Sequence, residues 1–375
     1  MNSRPVSIGH ILPIIVMAMA LTGCNPVRDY EAAKLLVDIA AGAKEAPSGD
    51  AAEPRRLARN FQVKGVRYHA DLYLAGQKPL AAMLLLPGAA EKGKDDPRLQ
   101  ALAMSMARAR FAVLVPDLQG FRSLQIGSRD TEDVTRCFYW LATQQDLAPN
   151  GRAGLCGISY ACGPAVLAAL DPLIAQRVRF IMTIGGYYDL VRVLTFFTTG
   201  YFQKEGTWQY REPNHYGKWV FVLSNIRRLS LATDRQLFAR MAARKLDDPG
   251  AAVGDLADGL SPEGRNFFNF IENRDRTRVT ALIGRLPLSI RQEITRLNIA
   301  GYDMGRLKAQ MIILHGYDDD IIPYTESVAL AENISRGQGS LYLVQGLMHV
   351  NLKPRISDTI KLWRALSRLL RVSRQ

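Results

Sequence analysis

The chain has 375 residues, 48% of them hydrophobic, with 30 glycines and 18 prolines. That is enough to bury one large core with an insertion, or two modest ones, and it argues against a fibre or a disordered binder. The formal charge is +13, but no recognisable module collects it, so nucleic acid is not an expected partner.

At the N-terminus Arg4 precedes an apolar stretch from Ile11 to Leu21, too short to span a bilayer comfortably but suited to a signal peptide. It ends in Leu21-Thr22-Gly23-Cys24. Small residues before the cysteine give a peptidase access to the bond, and the thiol is the group that accepts diacylglycerol. The segment resembles the bacterial lipobox, which implies that 1–23 is a lipoprotein signal peptide and that Cys24 carries the lipid. Each buried CH₂ of the acyl chains would then contribute about 0.8 kcal/mol to membrane attachment. An ordinary secretory signal with an incidental cysteine is the alternative. Asn25 follows the cysteine where Asp could stand. By resemblance to the enteric sorting pattern, this implies a cell-envelope protein on the outer membrane, facing the periplasm.

Residues 24–60 hold an expected helix, Tyr30 to Ala41, and then Ala-, Gly-, Glu- and Pro-rich sequence, which suits a tether. The remaining cysteines, Cys137, Cys156 and Cys162, are odd in number and in apolar surroundings, so buried thiols are expected rather than a disulfide. Five histidines without an HExxH or CxxC pattern give no metal site and no cofactor.

Phe61 to Val66 and Arg67 to Leu74 predict an antiparallel pair, and Leu80 to Leu86 a buried strand. Helix Arg98 to Ala109, strand Phe111 to Val115 and helix Thr131 to Thr143 follow. Ala153 to Cys156 is a short strand, Tyr160 to Ala169 a helix, and Arg179 to Ile184 another strand. This alternation predicts an α/β fold with a mostly parallel sheet covered on both faces. From Gly186 to about Leu307 the rhythm breaks into aromatic and basic helical segments without clear strands. A stretch of that length must carry structure of its own. It reads as an inserted helical cap at 187–307, between core segments 61–186 and 308–375. Alternation resumes with strand Met311 to Leu314, helix Tyr324 to Ile334, strand Leu341 to Val344 and helix Ser357 to Val372. Lys361, Arg364, Arg368, Arg371 and Arg374 cluster in the last helix. They form either a solvated basic face or, in an anchored protein, a contact for anionic lipid or cell-surface polymer.

Three stretches carry chemistry. Gly157-Ile158-Ser159-Tyr160-Ala161 sits between an expected strand and helix, His315-Gly316-x-x-Asp319-x-x-Ile322-Pro323 follows a strand, and His349 follows the last strand. A serine hydroxyl needs an imidazole to take its proton and a carboxylate to orient that imidazole. These stretches, in this order, resemble the alpha/beta-hydrolase family, whose nucleophile elbow usually reads G-x-S-x-G. Ala161 departs from the fifth-position glycine but remains small. The resemblance covers about 61–186 and 308–371. It implies Ser159 as nucleophile, Asp319 as acid and His349 as base, with Asp320 the rival acid and His315 structural. Leu86-Pro87-Gly88-Ala89-Ala90 resembles the family's oxyanion loop, with Tyr160 N–H one donor, Ala89 N–H the other, and Gly88 N–H next in order. Asp117 to Ser123 resembles the loop after the following strand and would shape the rim.

The expected substrate is a small-molecule carboxylic ester. A serine peptidase or amidase is the enzymatic rival, and a non-catalytic envelope binding protein a third reading. Tyr187 and Tyr188 are expected substrate contacts. Phe196, Phe197, Tyr201, Phe202, Trp208 and Tyr210 would line an acyl or aryl pocket or form the cap's own core.

Overall fold

The computed structural model describes residues 25–42, 53–348, 351–352 and 356–375. Its sheet opens with Arg55–Val63 (β1) and Val66–Leu74 (β2), paired antiparallel from end to end. The expected first strand ran on to Val66. Instead Lys64 and Gly65 turn the chain with φ of 47° and 81°, the positive values a two-residue primed hairpin requires. Ala81–Leu86 (β3), Phe111–Pro116 (β4), Ala153–Ile158 (β5) and Val178–Ile184 (β6) follow as apolar strands. Tyr201–Lys204 (β7) and Thr207–Tyr210 (β8) form a separate hairpin, and Gln310–Gly316 (β9) and Gly339–Val344 (β10) complete the main sheet.

The main sheet has eight strands in the order β1-β2-β4-β3-β5-β6-β9-β10. Its first two junctions are antiparallel and the remaining five parallel. Alternate residues feed cores on opposite faces. In β3, Ala82, Leu84 and Leu86 join one cluster while Ala81, Met83 and Leu85 join the other. Burial on both faces is why these strands read as unbroken apolar runs. The registers Leu86↔Gly157, Ile158↔Ile184 and Ile184↔Leu314 align the C-terminal ends of β3, β5, β6 and β9. Loops leaving these strands therefore meet above one end of the sheet, where open α/β sheets build their sites.

One face carries helices Arg129–Thr143 and Cys162–Ala169, and the other helices Pro97–Arg108, Ile356–Ser373 and Pro26–Ala41. The last of these starts early because Asn25 accepts a hydrogen bond from Arg28 N at 3.1 Å and Pro26 opens the first turn, a favourable N-terminus. It buries Ala32, Leu35 and Leu36 in the core. Trp363 Nε1 donates to Asp29 O at 2.9 Å and Ser367 Oγ to Asp29 Oδ1 at 2.6 Å. Part of the segment expected as a spacer thus belongs to the packed body.

Between β6 and β9 the chain forms helices Leu190–Thr199, His215–Asn225, Ala232–Asp247, Pro262–Ile271, Val279–Gly284 and Leu288–Leu297. The expectation of helices alone is corrected here by the β7–β8 hairpin, turned by Glu205 and Gly206 at φ 49° and 78°. Its strands have four residues each and β8 is exposed throughout, so no apolar alternation marked it. Trp219, Phe238, Phe267 and Phe270 of this region share one hydrophobic cluster with Leu84 and Leu155 of the sheet.

Candidate active site

Ser159 stands where β5 gives way to a single turn, Ser159–Ala161, and then to helix Cys162–Ala169. Its φ is 55°, a conformation that costs a residue with a side chain of order 1–3 kcal/mol and persists only where the surroundings enforce it. The enforcement is visible. A Cβ on Gly157 would lie 2.7 Å from Ala161 O and 2.8 Å from Cys162 N, so only glycine lets the turn close. Cys162 Sγ donates to Gly157 O at 3.0 Å. Tyr160 is buried, edge-on to Phe121, with its hydroxyl 2.9 Å from Asp130 Oδ2 and 3.1 Å from Gly127 O. Burial raises the Asp130 carboxyl to about 6.

The acid loop begins at Gly316, where a Cβ would collide with Leu347 O at 2.0 Å. Asp319 is 1% exposed, and its Oδ1 accepts from Ile321 N at 2.8 Å and Ile322 N at 2.9 Å. Asp318 and Asp320 are only half-buried. Asp318 Oδ2 accepts from Gly346 N at 3.2 Å, and Asp320 O from Asn214 N at 2.8 Å. His315 is fully buried within the loop: Nε2 lies 2.9 Å from Ile322 O and 3.3 Å from Asp319 Oδ2, while Nδ1 lies 2.6 Å from Ser327 Oγ. The carbonyl fixes Nε2 as a donor, and the serine hydroxyl faces Nδ1. His349 lies outside the described residues, as does Cys24. Leu347, two positions earlier, rests against Gly316 at the mouth of the acid loop.

Gly88 faces the serine, since a Cβ there would stand 3.5 Å from Ser159 Cβ and 3.6 Å from Ile158 O. Next to it, Ala89 O accepts from Tyr216 Oη at 2.8 Å. Ser159, Tyr160, Gly88, Ala89 and Tyr187 line one cavity of about 850 Å³. Asp320, Ile321 and Ile322 reach it from the acid loop, with Asp319 buried behind them. On the cap side its walls include Val193, Leu194, Phe197, Val220, Ile294 and Leu297. It continues along β5, β6 and β9 towards Met106 and Leu366. Tyr187 also donates through Oη to Leu297 O at 3.0 Å. Tyr188 is not among the lining residues, and its N–H donates to Glu326 Oε2 at 3.2 Å.

Of the six cap aromatics, Phe197 alone is among the lining residues. Phe196 and Phe202 are buried against each other, Tyr201 packs on Tyr210, and Trp208 and Tyr210 are exposed. Two cap residues had no sequence signal. Tyr216 bonds the Gly88–Ala89 loop, and Arg211 donates to Asp319 O at 2.7 Å and Tyr317 O at 2.9 Å. Both act across more than a hundred residues of sequence, and an arginine or tyrosine looks alike in sequence whether it faces solvent or a loop.

Strand order, the aligned strand ends and the strained serine turn define this architecture as the alpha/beta-hydrolase fold. No family model matches the chain, and no curated protein does. Among solved structures, a Legionella pneumophila protein provisionally described as a hydrolase is 12% identical, with a TM-score of 0.55 over 91% of this chain and 95% of its own. The esterase rPPE is 13% identical, with a TM-score of 0.47 over 100% and 99%. A dienelactone hydrolase from Anabaena variabilis is 13% identical, with a TM-score of 0.42 over 84% and 96%. At such identity the first of these shows a shared fold.

Proposed function

We propose that the protein is a serine hydrolase of carboxylic esters. The observation that carries this reading is Ser159, held at φ 55° at the wall of a largely apolar cavity beside Gly88. Ser159 Oγ attacks the ester carbonyl as His349 takes its proton. Asp319 orients His349, and Tyr160 N–H with Ala89 or Gly88 N–H stabilises the oxyanion. His349 returns the proton to the leaving alcohol, and water then cleaves the acyl-enzyme by the same route. The apolar cavity favours an ester with a hydrocarbon acyl chain over a peptide, whose amides would need partners on the wall. A fluorophosphonate should add its mass to the wild-type protein and not to Ser159→Ala; equal labelling of both would remove Ser159 from this role. Short acyl esters compared with aminoacyl amides separate esterase from amidase, and failure of both labelling and turnover favours a binding protein.

Lipid attachment at Cys24 and residence in the cell envelope belong to the same proposal. No helix among the described residues is long and apolar enough to cross a membrane. Incorporation of an alkyne-tagged fatty acid in the producing bacterium, lost in Cys24→Ala, is the expected result.

A further inference from the structure

The cavity beside Ser159 bends around the edge of the sheet. Side chains along a strand alternate between its two faces, so the core clusters on those faces are separate. The cavity draws walls from both. On one face, Val193, Leu194, Phe197, Val220, Ile294 and Leu297 form an arm under the cap. On the other, Ile158, Ile184 and Leu314 at the ends of β5, β6 and β9 floor a second arm, covered by Leu102 and Leu366 from helices Pro97–Arg108 and Ile356–Ser373. Ile39 of helix Pro26–Ala41 also lines this arm.

Ser159 stands at the bend. Ile158, just before it, lines the second arm, while Tyr160, just after it, belongs to the core on the cap side. Both arms keep open surface, because several of their lining side chains are only partly buried. These are Ile39, Leu102, Ile158 and Ile184 in one arm, and Ile126, Leu190 and Tyr216 in the other. Of the charged side chains on the arms, Asp96 pairs with Arg98 at 2.8 Å and Glu293 with Arg228 at 3.1 Å. The remaining walls are largely apolar, so a polar group entering either arm would give up water without a replacement.

The acyl and alcohol parts of an ester leave the same carbonyl carbon in different directions. We infer that the substrate is an ester carrying a hydrocarbon chain on both sides of that carbonyl, one chain in each arm. This rests on the ester-hydrolase reading and adds to it an apolar alcohol and a second specificity wall, made by Leu102, Ile158 and Ile184 on the far face of the sheet.

The test is a panel of ethyl acetate, ethyl hexanoate, hexyl acetate and hexyl hexanoate. In the wild type, lengthening either chain should raise kcat/KM by about fivefold or more, as burial of added methylenes requires, and the two gains should multiply in hexyl hexanoate. Leu102→Trp fills the sheet-side arm and Leu190→Trp the cap-side arm. Each should abolish the gain from one chain and retain the gain from the other. A wild-type gain from one chain only, two variants that lose the same gain, or a variant that loses neither overturns the assignment. Fluorophosphonate labelling of Ser159 reports whether a variant is folded, and Leu102→Phe or Leu190→Phe replaces one that is not. Should no ester be hydrolysed, the hydrolase reading fails separately, and the arms are read by calorimetry. Tighter binding of dihexyl ketone than of hexyl methyl ketone to wild type, but to neither variant, supports them, and equal binding to wild type overturns them.

Discussion

Backbone crowding, more than side-chain identity, holds Ser159 in place. The nearest atoms to a Cβ on Gly157 belong to the Ala161 and Cys162 backbone, which cannot swing aside as a side chain would. Gly157→Ala should therefore shift the turn, lower thermal stability by about 1–3 kcal/mol and reduce ester turnover at least tenfold, read by calorimetry and by initial rates on one ester. Glu326 makes a different residue-scale prediction. Burial raises its carboxyl to about 7, against the pull of the Asp189 and Tyr188 N–H donors. The folded protein thus holds this proton more tightly than the unfolded chain. The resulting stabilisation is complete below the unfolded value near 4.5 and is lost as pH rises through about 7. Asp130 acts in the same direction through about 6. Thermal midpoints should fall from pH 5 to pH 8, and Glu326→Gln should flatten that fall; an unchanged slope would remove Glu326 as a source.

At the scale of elements, the cap is stitched to the machinery of the sheet. Arg211, just beyond β8, bonds two carbonyls of the acid loop, and Asn214 N bonds Asp320 O. Arg211→Ala leaves both carbonyls short of a donor, and a charged hydrogen bond of this kind contributes about 1.5–3 kcal/mol. The expected outcome is a kcat loss of tenfold or more with a smaller change in KM, and faster amide exchange confined to residues 316–323. Slower turnover with unchanged exchange there would assign the arginine another role.

The parallel strands were legible in the sequence because burial on both faces leaves unbroken runs such as Met83 to Leu86. The elbow was legible because sterics demand small residues around Ser159. The β7–β8 hairpin was not, since short exposed strands leave little periodicity, whereas helix Leu288–Leu297 carries Ile290, Ile294 and Leu297 at helical spacing and its signal went unread. Tyr216 and Arg211 were illegible for a plainer reason: each acts through a carbonyl that only the folded chain brings within reach.

For the whole molecule, two clusters pack on opposite sides of the sheet. One joins the cap to the sheet, and the other is closed by helix Pro26–Ala41 against Ile356–Ser373. Leu36, 4% exposed, is a direct probe of the second. Leu36→Ala should destabilise the protein by about 2–5 kcal/mol in a denaturant titration; an unchanged midpoint would show that this packing contributes nothing.

The bond from Trp363 to Asp29 O spans 334 residues of sequence. During synthesis, helix Pro26–Ala41 can meet only part of its seat, helix Pro97–Arg108 with its Arg108–Asp38 pair, until helix Ile356–Ser373 emerges. The contact with that later helix forms late in elongation, when chains are open to misassociation. A nascent chain stalled before residue 356 should leave the 26–41 segment more open to protease than the released chain.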